Sequence, residues 1–293
     1  MTEAHDTAHN NAHEGFHLVE PSPWPIVGAF CAFLTALGGI QWMKTIQIAH
    51  MYPGRLVFAV GVAGLLFTFA AWLRDVTLEA HDGFHNSKVS RGLSAGMLLF
   101  IASEVMFFVA WFWAYFNSAV FSGDVAQYGR EAFTGGLWPP QGIVAINPWR
   151  LPFINTIILV SSSFVIGRAH HALVSGARPA FLRYLALTIV MGFLFVAIQA
   201  YEYATAPFSF ANSIYGATFF MATGFHGAHV IIGAIFLTVC FFRALGGGLT
   251  PKQHLGFLFA EWYWHFVDVV WVFLFSCIYI WGTWGAAVEG AAH

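Results

Sequence analysis

The chain has 293 residues, of which 58% are hydrophobic, 18% aromatic and only 9% charged, and its formal net charge is −2. This composition is typical of a protein that is surrounded mostly by lipid, and it argues against a water-soluble domain. The near-neutral charge and the lack of a basic cluster give no reason to expect a nucleic-acid partner. We therefore expect a membrane protein that crosses the bilayer several times.

Seven segments are apolar over about the 20 residues that a membrane span requires. They lie at about residues 22–43, 56–73, 93–121, 151–167, 184–204, 213–242 and 255–285. A closed β-barrel would need short strands of alternating polarity, which these unbroken apolar runs do not show. The fold class that we expect is an all-α membrane protein with seven transmembrane helices.

The polar segments divide the chain into five parts. We expect a polar, His-rich tail over 1–21, a two-helix unit over 22–73, a polar cytoplasmic connection over 74–92, a five-helix bundle over 93–285 and a C-terminal tail over 286–293. The first tail carries four histidines spaced four residues apart, which a helix would align in a stripe; metal binding by this stripe is the alternative to a solvated tail, and the residues are His5, His9, His13 and His17. No internal repeat is visible, which counts against an inverted-repeat transporter.

The distribution of basic residues predicts the orientation. No secretory signal is visible in the first 20 residues, so we expect the first span to act as its own insertion signal. With the N-terminus in the cytoplasm, the cytoplasmic side carries Arg74, Lys88, Arg91, Arg168, Arg178, Arg183, Arg243 and Lys252. The opposite side carries only Lys44, Arg55, Arg130 and Arg150. The positive-inside rule then predicts a cytoplasmic N-terminus and a C-terminus on the other side.

Glu104 is the single carboxylate of the segment 93–121. A charge at this depth costs about 2.5–3.5 kcal/mol on insertion scales, so it persists only where it is neutral, paired or turned toward protein. We expect Glu104 to face a packed interior, where desolvation disfavours its charged form. It is a candidate structural carboxylate, or one that modulates proton uptake.

Glu261, His265 and Asp268 lie four and three residues apart in the last span, so an α-helix places them on one face. Such a trio can relay protons, hold a metal or satisfy its own hydrogen bonds. A carboxylate-bridged di-iron bundle would need Glu-x-x-His on two helices, whereas the spacing here is Glu-x-x-x-His without a second copy. We favour mutual hydrogen bonding in a protein interior.

His226 and His229 lie three residues apart in a glycine-rich part of the sixth span. Ligation of a haem or a metal would need a further ligand from a facing helix, which the sequence does not indicate. The small residues around the two histidines permit close contact between helices. We interpret them as packed polar links between helices, and we assign no metal site to the chain.

Four basic side chains are predicted at one membrane face, namely Arg74, Lys88, Arg243 and His254. They are suited to binding lipid phosphates. A solvated helix end with internal ion pairs is the alternative, and the sequence leaves both open.

A series of motifs, in order from about residue 17 to residue 282, resembles cytochrome c oxidase subunit III. The motifs are His17-Leu-Val-Glu-Pro-Ser-Pro-Trp-Pro, Trp72-Leu-Arg-Asp-Val, Ser103-Glu-Val-Met-Phe-Phe-Val-Ala-Trp-Phe-Trp, Trp138-Pro-Pro, Ala169-His-His, Met221-Ala-Thr-Gly-Phe-His-Gly-Ala-His-Val-Ile-Ile-Gly and Trp262-Tyr-Trp-His-Phe-Val-Asp-Val-Val-Trp. Several of these words are long and unusual, so chance explains them poorly.

The resemblance implies a two-plus-five arrangement of the seven helices around a V-shaped, lipid-filled cleft. It implies docking on the catalytic subunit I, with subunit II as a further partner, in a complex that oxidises cytochrome c, reduces O2 to water and pumps protons. The chain itself would bind no redox cofactor: haem a, haem a3, CuA and CuB would lie in the partner subunits. Its own roles would be to stabilise the catalytic core, to hold structural phospholipids and to support proton uptake.

The resemblance also assigns residues and a location. Glu104 matches the family's intramembrane glutamate. Positions associated with lipid head groups in the cleft are matched by Trp72, Glu79, His85, Arg243 and His254, with a one-residue gap near His85. The His-rich tail has no role carried over. We expect the bacterial cytoplasmic (inner) membrane, with the mitochondrial inner membrane as the alternative.

Two other functions remain open at this point. Subunit III of a quinol oxidase is the nearest alternative, although such chains typically have five helices and lack the first two spans. An autonomous proton or ion transporter would use Glu104, with Glu261, His265 and Asp268 as a relay. A channel needs a continuous polar path, however, and the residues around Glu104 in helical projection are apolar: Met97, Phe100, Ile101, Phe107, Phe108 and Trp111.

Overall fold

The computed structural model describes residues 21–44, 53–83, 85–124, 130–284 and 287–288. Within them, seven helices are long and apolar enough to cross a membrane, and the described residues form no strand beyond a single bridge between Ala145 and Val288. The prediction of an all-α protein with seven transmembrane helices is thereby confirmed. Residues 1–20 of the predicted His-rich tail lie outside the described residues, as does most of the predicted C-terminal tail.

The described part of the chain contains eight α-helices, and all except the short α4 are membrane spans. They are α1 Trp24–Met43, α2 Gly54–His81, α3 Ser87–Val120, α4 Arg130–Thr134, α5 Leu151–Val174, α6 Arg178–Thr205, α7 Ile214–Leu245 and α8 Leu255–Leu274. The last helix continues as a π-helical segment, Phe275–Ile280, and a 3-10 turn, Trp281–Thr283.

Several helices extend beyond the spans that hydropathy predicts. Helix α2 continues to His81 rather than ending at 73, α5 continues to Val174 rather than 167, and α6 begins at Arg178 rather than 184. Hydropathy marks the part of a helix that lies in hydrocarbon, whereas the backbone hydrogen bonds continue through polar residues that project beyond it. Much of the predicted polar connection over 74–92 is therefore helical.

The chain divides into two compact units, Met1–Leu93 and Ser94–His293. In the first unit, α1 and α2 pack closely because glycine stands where the backbones meet. A Cβ at Gly38 would lie 2.2 Å from the backbone nitrogen of Phe58, so no larger side chain fits. Near one end of the pair, the indole Nε1 of Trp24 donates a 2.6 Å hydrogen bond to Asp75 Oδ2. The two-plus-five arrangement with a lipid-filled cleft stays a prediction.

In the second unit, α8 supplies much of the core. Trp264 and Trp271 are fully buried, and the N–H of each indole is satisfied by α5: Trp264 donates to Ser162 Oγ at 2.8 Å and Trp271 to Thr156 Oγ1 at 2.9 Å. Gly192 of α6 leaves room for the Trp264 ring, since a Cβ there would lie 2.5 Å from that ring. These contacts bring the polar face of α8 against α5.

Candidate functional site

Ionisable side chains of the second unit take part in three groups of hydrogen bonds that we describe in turn. We call them the Glu104 pair (Glu104 and His229), the α5–α8 chain (Ser163, His170, Glu261, His265 and Asp268) and the Glu202 network (Asn155, Gln199, Glu202 and Tyr279). Among the described residues, no cluster of three or more His, Cys, Asp or Glu side chains is arranged to hold a metal ion.

The Glu104 pair links α3 to α7. His229 Nε2 lies 2.8 Å from Glu104 Oε2, and His229 Nδ1 lies 2.6 Å from the backbone carbonyl oxygen of Phe225. Because a carbonyl oxygen can only accept, Nδ1 must carry a hydrogen. The contact between Nε2 and Oε2 is then a hydrogen bond with one shared proton: a neutral carboxyl donates to a neutral ring, or an imidazolium donates to a carboxylate. In either form the pair is neutral overall.

Aromatic rings surround the Glu104 pair. The ring of Phe108 lies 4.9 Å from the His229 ring, that of Phe107 lies 5.8 Å away, and Tyr263 stacks on it at 6.4 Å. The side chains of His229 and Glu104 are 10% and 24% exposed. Helical projection placed the two phenylalanines beside Glu104, and the structure places them against its partner ring. An apolar wall of this kind favours the neutral state of the pair over an isolated charge.

His226 is not part of the Glu104 pair. Its ring is fully buried, 5.1 Å from the ring of Trp271 and 5.7 Å from that of Phe195. Neither ring nitrogen has a hydrogen-bond partner among the described residues. The two histidines that the sequence places three residues apart therefore have different surroundings, and His229 alone of the two meets a carboxyl group.

The α5–α8 chain joins the predicted trio through residues of a second helix. Glu261 Oε2 pairs with His170 Nδ1, and its Oε1 lies 3.9 Å from His265 Nε2. Ser163 donates its hydroxyl hydrogen to Asp268 Oδ2. His265 Nδ1 lies 3.1 Å from the same hydroxyl oxygen and must therefore be the donor. The trio shares one face of α8, as its spacing predicts, but its hydrogen bonds pass through α5.

The members of the α5–α8 chain differ in burial. Glu261 and Asp268 are 7% and 6% exposed, whereas the side chain of His265 is 43% exposed. Asp268 Oδ1 is buried without a hydrogen-bond partner among the described residues. The expectation of an interior cluster thus describes the two carboxyl groups better than it describes the histidine.

The Glu202 network contains a buried carboxyl group that the sequence analysis missed. Glu202 is only 2% exposed, and its Oε1 accepts hydrogen bonds from Tyr279 at 2.7 Å and from Gln199 Nε2 at 3.1 Å. Gln199 Oε1 in turn accepts from Asn155 Nδ2 at 3.3 Å. The sequence did contain a sign of this group, because Glu202 lies inside the predicted span 184–204. A charged carboxyl group there has the same free-energy cost of insertion as at Glu104.

The candidate lipid-binding residues of the first unit lie on or next to α2. Trp72 is 44% exposed and Glu79 is half-buried, and their separation of seven residues puts them on one side of the helix. His85 lies in the segment that connects α2 to α3 in the sequence, and it is half-buried.

The candidates of the second unit are Arg243, in the last turn of α7, and His254, directly before α8. Both are half-buried. The guanidinium group of Arg243 passes close to the backbone at Gly256, where a Cβ would lie 3.2 Å from Nη1. The ring of His254 lies 5.6 Å from that of His170. His170, the last member of the α5–α8 chain, is therefore close to this pair of candidate lipid-binding residues.

Comparison with known proteins decides between the functions that the sequence leaves open. A family model described as cytochrome c oxidase subunit III matches residues 13–283. The chain belongs to this family. It is a subunit III of a cytochrome c oxidase, and thus a membrane subunit of an oxidoreductase complex, and the resemblance inferred from its motifs is confirmed.

The similarity covers nearly the whole chain. Cytochrome c oxidase subunit 3 of Prototheca wickerhamii is 48% identical over 269 residues, which is 91% of this chain and 97% of the relative. The same subunit of Arabidopsis thaliana is 46% identical over 268 residues, with 91% and 96% covered. That of Branchiostoma lanceolatum is 46% identical over 269 residues, with 92% and 97% covered. The family match over residues 13–283 contains all seven spans. A match to a five-helix chain would start only at the third span.

Proposed function

We propose that this subunit III docks on the catalytic subunit I, stabilises it, holds structural phospholipids and supports its proton uptake. Haem a, haem a3, CuA and CuB would lie in subunits I and II, and cytochrome c would be the substrate of the whole complex. Membership of the subunit III family supports this assignment. The arrangement of polar side chains in the second unit supports a scaffold rather than an independent channel.

The Glu104 pair is the observation on which the scaffold role rests. Proton transfer through an imidazole ring needs an acceptor beyond the second nitrogen, but His229 Nδ1 donates to the backbone carbonyl of Phe225. A backbone carbonyl is not a proton acceptor in this sense. Since the rings of Phe107 and Phe108 pack against His229 and offer no proton acceptor, the pair is suited to hold one proton and to tie α3 to α7. It is not suited to pass protons across the membrane.

The other two polar groups support the same role. The α5–α8 chain and the Glu202 network each connect different helices through charged or neutral hydrogen bonds. Hydrogen bonds between helices in lipid, together with close packing, fix how the helices are arranged. A rigid bundle of this kind is what a subunit needs if it is to support a catalytic partner.

Phospholipid binding is proposed for each unit by itself. Arg243 and His254 present basic groups at one end of the second unit, suited to a lipid phosphate. In the first unit, the exposed indole of Trp72 is suited to the interfacial region of the bilayer. These positions belong to the proposal through the resemblance stated above.

The distribution of basic residues supports one orientation of the subunit. Eight of the 12 lysines and arginines lie on the side that holds the α2–α3, α5–α6 and α7–α8 connections. We therefore propose a cytoplasmic N-terminus and a periplasmic C-terminus in a bacterial inner membrane. The relatives named above come from eukaryotes, and for a mitochondrial protein the corresponding sides are the matrix and the intermembrane space. Reporter fusions at the two termini would test the orientation.

The proposed function is tested on the complex that co-purifies with the tagged subunit in mild detergent. A reduced-minus-oxidised visible spectrum should show haem a in stoichiometric amount, and a preparation free of haem would contradict docking on subunit I. The same oxidase isolated without this subunit should begin turnover at a similar rate and lose activity sooner. Equal lifetimes of the two preparations would contradict the stabilising role.

A further inference from the structure

The α5–α8 chain differs from the Glu104 pair in the partners of its inner histidine. In the pair, one ring nitrogen of His229 is committed to a backbone carbonyl, which cannot exchange a proton. In the chain, both ring nitrogens of His265 face groups that can. Nδ1 lies 3.1 Å from the hydroxyl oxygen of Ser163, and Nε2 lies 3.9 Å from Glu261 Oε1. The feature that blocks proton transfer at the Glu104 pair is therefore missing here.

The other inner members of the chain also have a partner on each side. Glu261 turns Oε2 to His170 Nδ1 and Oε1 toward His265 Nε2. Ser163 lies between His265 Nδ1 and Asp268 Oδ2 and is bonded to both. Imidazole, carboxyl and hydroxyl groups can each donate and accept a hydrogen. The order of groups is thus one along which a proton can be handed from member to member.

The two ends of the chain lie at different depths. His170 is four residues from the end of α5 at Val174, its side chain is 27% exposed, and its ring is 5.6 Å from that of His254. Asp268 is 13 residues from the start of α8 at Leu255, which is about 20 Å along the helix axis. Because the hydrocarbon layer is about 30 Å thick, the chain runs from one membrane face to the inner part of the bilayer.

The chain ends at Asp268. This side chain is 6% exposed, and its Oδ1 has no hydrogen-bond partner among the described residues. The histidines of α7 contact α8 at other side chains: the ring of His226 lies against Trp271, and that of His229 stacks on Tyr263. A proton that reaches Asp268 can therefore leave it only by the way it came.

We propose that the α5–α8 chain is a proton relay with a closed inner end, which takes up one proton at the membrane face of His170 and stores it on Asp268. This rests on the proposed function, because the relay supplies groups that hold a proton for the proposed support of proton uptake. A buried carboxyl group is more stable neutral than charged. Asp268, the most enclosed acceptor of the chain, is for that reason the place where the proton rests.

The first steps lead the proton from His170 to His265. A proton on His170 Nδ1 moves to Glu261 Oε2, which leaves a neutral carboxyl group. Rotation of this group turns its O–H toward His265 Nε2, which then accepts the proton. The distance of 3.9 Å between the two groups is too long for a hydrogen bond, so this step requires a movement of one of the two side chains.

The last step passes through Ser163. The proton on His265 Nδ1 moves to the hydroxyl oxygen while the hydroxyl proton moves to Asp268 Oδ2. One N–H and one O–H bond break and two O–H bonds form, so that an imidazolium and a carboxylate become a neutral ring and a neutral carboxyl group. The two groups carry no net charge before or after this step, a condition that the membrane interior requires. The reverse sequence releases the proton.

The test is hydrogen–deuterium exchange of the Asp268 carboxyl group, followed by infrared spectroscopy of the purified complex in D2O. Its C=O band is the protonated-carboxyl band that Asp268→Asn removes. The reference is the band that Glu202→Gln removes, because Glu202 is 2% exposed and bonded to Gln199 and Tyr279, outside the chain. Asp268 should exchange about tenfold faster than Glu202, whose exchange needs local opening of the structure.

Substitutions at two points of the chain test the route. Ser163→Ala removes the connecting hydroxyl and should slow exchange of Asp268 about tenfold, toward the rate of Glu202, while Ser163→Thr keeps the hydroxyl and restores the rate. Ser161→Ala, at a half-buried position of the same helix, is the matched control and should change nothing. His265→Phe breaks the chain at a second point and should slow the exchange as Ser163→Ala does.

Four results would overturn the relay: no protonated-carboxyl band that depends on Asp268, exchange of Asp268 as slow as that of Glu202 in the unmodified chain, unchanged exchange in both Ser163→Ala and His265→Phe, or equal slowing in Ser161→Ala. The exchange is measured on the tagged chain whether or not haem a co-purifies. Absence of haem a with the expected exchange rates would contradict the proposed docking and leave the relay intact. Any of the four results in a preparation that contains haem a would contradict the relay alone.

Discussion

The carboxyl group of Glu104 meets Nε2 of His229 at 2.8 Å, and the two groups share one proton. The second ring nitrogen is committed to the backbone carbonyl of Phe225 at 2.6 Å, which leaves a single arrangement of hydrogens on that side of the ring. The pair of side chains in the middle of two membrane helices thus carries no net charge. This balance depends on a partner 125 residues away in the sequence.

We predict that Glu104→Gln leaves assembly of the oxidase largely intact. The amide of glutamine can donate to His229 Nε2 as a protonated carboxyl group does. Glu104→Ala removes the partner and leaves a nearly buried ring nitrogen unpaired, at a cost of about 1–3 kcal/mol. The haem a that co-purifies with each variant, per mole of subunit, measures assembly. We expect less haem a to co-purify with Glu104→Ala than with Glu104→Gln. If Glu104→Gln failed to assemble, an essential ionic contact would be the better explanation.

We predict that Tyr279→Phe lowers the thermal stability of the subunit. The hydroxyl of Tyr279 donates to the buried carboxyl group of Glu202 at 2.7 Å, and its loss should cost about 1–3 kcal/mol. Tyr201→Phe is the matched control, because Tyr201 is 61% exposed on the same helix as Glu202 and should change the stability by less than about 0.5 kcal/mol. Unfolding midpoints in detergent compare the two, and equal midpoints would show that the Glu202 network contributes little.

We predict that Gly38→Leu disrupts the packing of α1 on α2 while Gly39→Leu does not. A Cβ at Gly38 would lie 2.2 Å from a backbone nitrogen of Phe58, which cannot move without shifting the helix. At Gly39 the nearest contact is the Phe58 ring at 3.6 Å, an ordinary distance. Overpacking costs about 1–3 kcal/mol or more where backbone must move. The yield of intact subunit in the membrane and its melting temperature should fall for Gly38→Leu alone.

We predict that Arg243→Gln reduces the phosphate-bearing lipid that stays bound to the purified complex. The guanidinium group lies at the end of α7 beside the backbone of Gly256, where a lipid phosphate can reach it. Arg183→Gln, at an exposed position of α6 on the same predicted membrane side, is the control. Native mass spectrometry counts the bound lipids. Loss of the same lipid from both variants would point to the general surface charge instead of a site at Arg243.

The sequence predicts the spans well and the ends of the helices poorly. Runs of apolar residues report directly on burial in lipid, so all seven spans are found. The helical extension of α2 from 74 to His81 carries polar residues, and nothing in hydropathy distinguishes a polar helix from a polar loop. The spacing of Glu261, His265 and Asp268 places them on one face correctly, because helical periodicity is a local property.

The partners of these residues are not local. Ser163 and His170, which join the trio, lie 91 to 105 residues away, and no pattern within a helix indicates them. Glu202 was visible as a carboxyl group in a span, and Gln199 precedes it by three residues on the same helix. Tyr279, which donates to the same oxygen, lies 77 residues away in the π-helical segment, and no local pattern indicates that bond. The assignment of individual residues to proton or lipid roles stays a prediction for the experiments above.

The sequence by itself determined that the chain is an all-α membrane protein with seven spans, and its motifs determined the family. Hydropathy and motifs are properties of consecutive residues, so they can be read without knowing which helices are in contact. Only the tertiary structure decided that Glu104 pairs with His229, that His226 has no hydrogen-bond partner among the described residues, and that the His265 side chain is 43% exposed while Glu261 and Asp268 are buried. The physical reason is that hydrogen bonding and burial depend on which helix faces meet. That depends on side-chain packing over the whole second unit, to which each helix contributes only one surface.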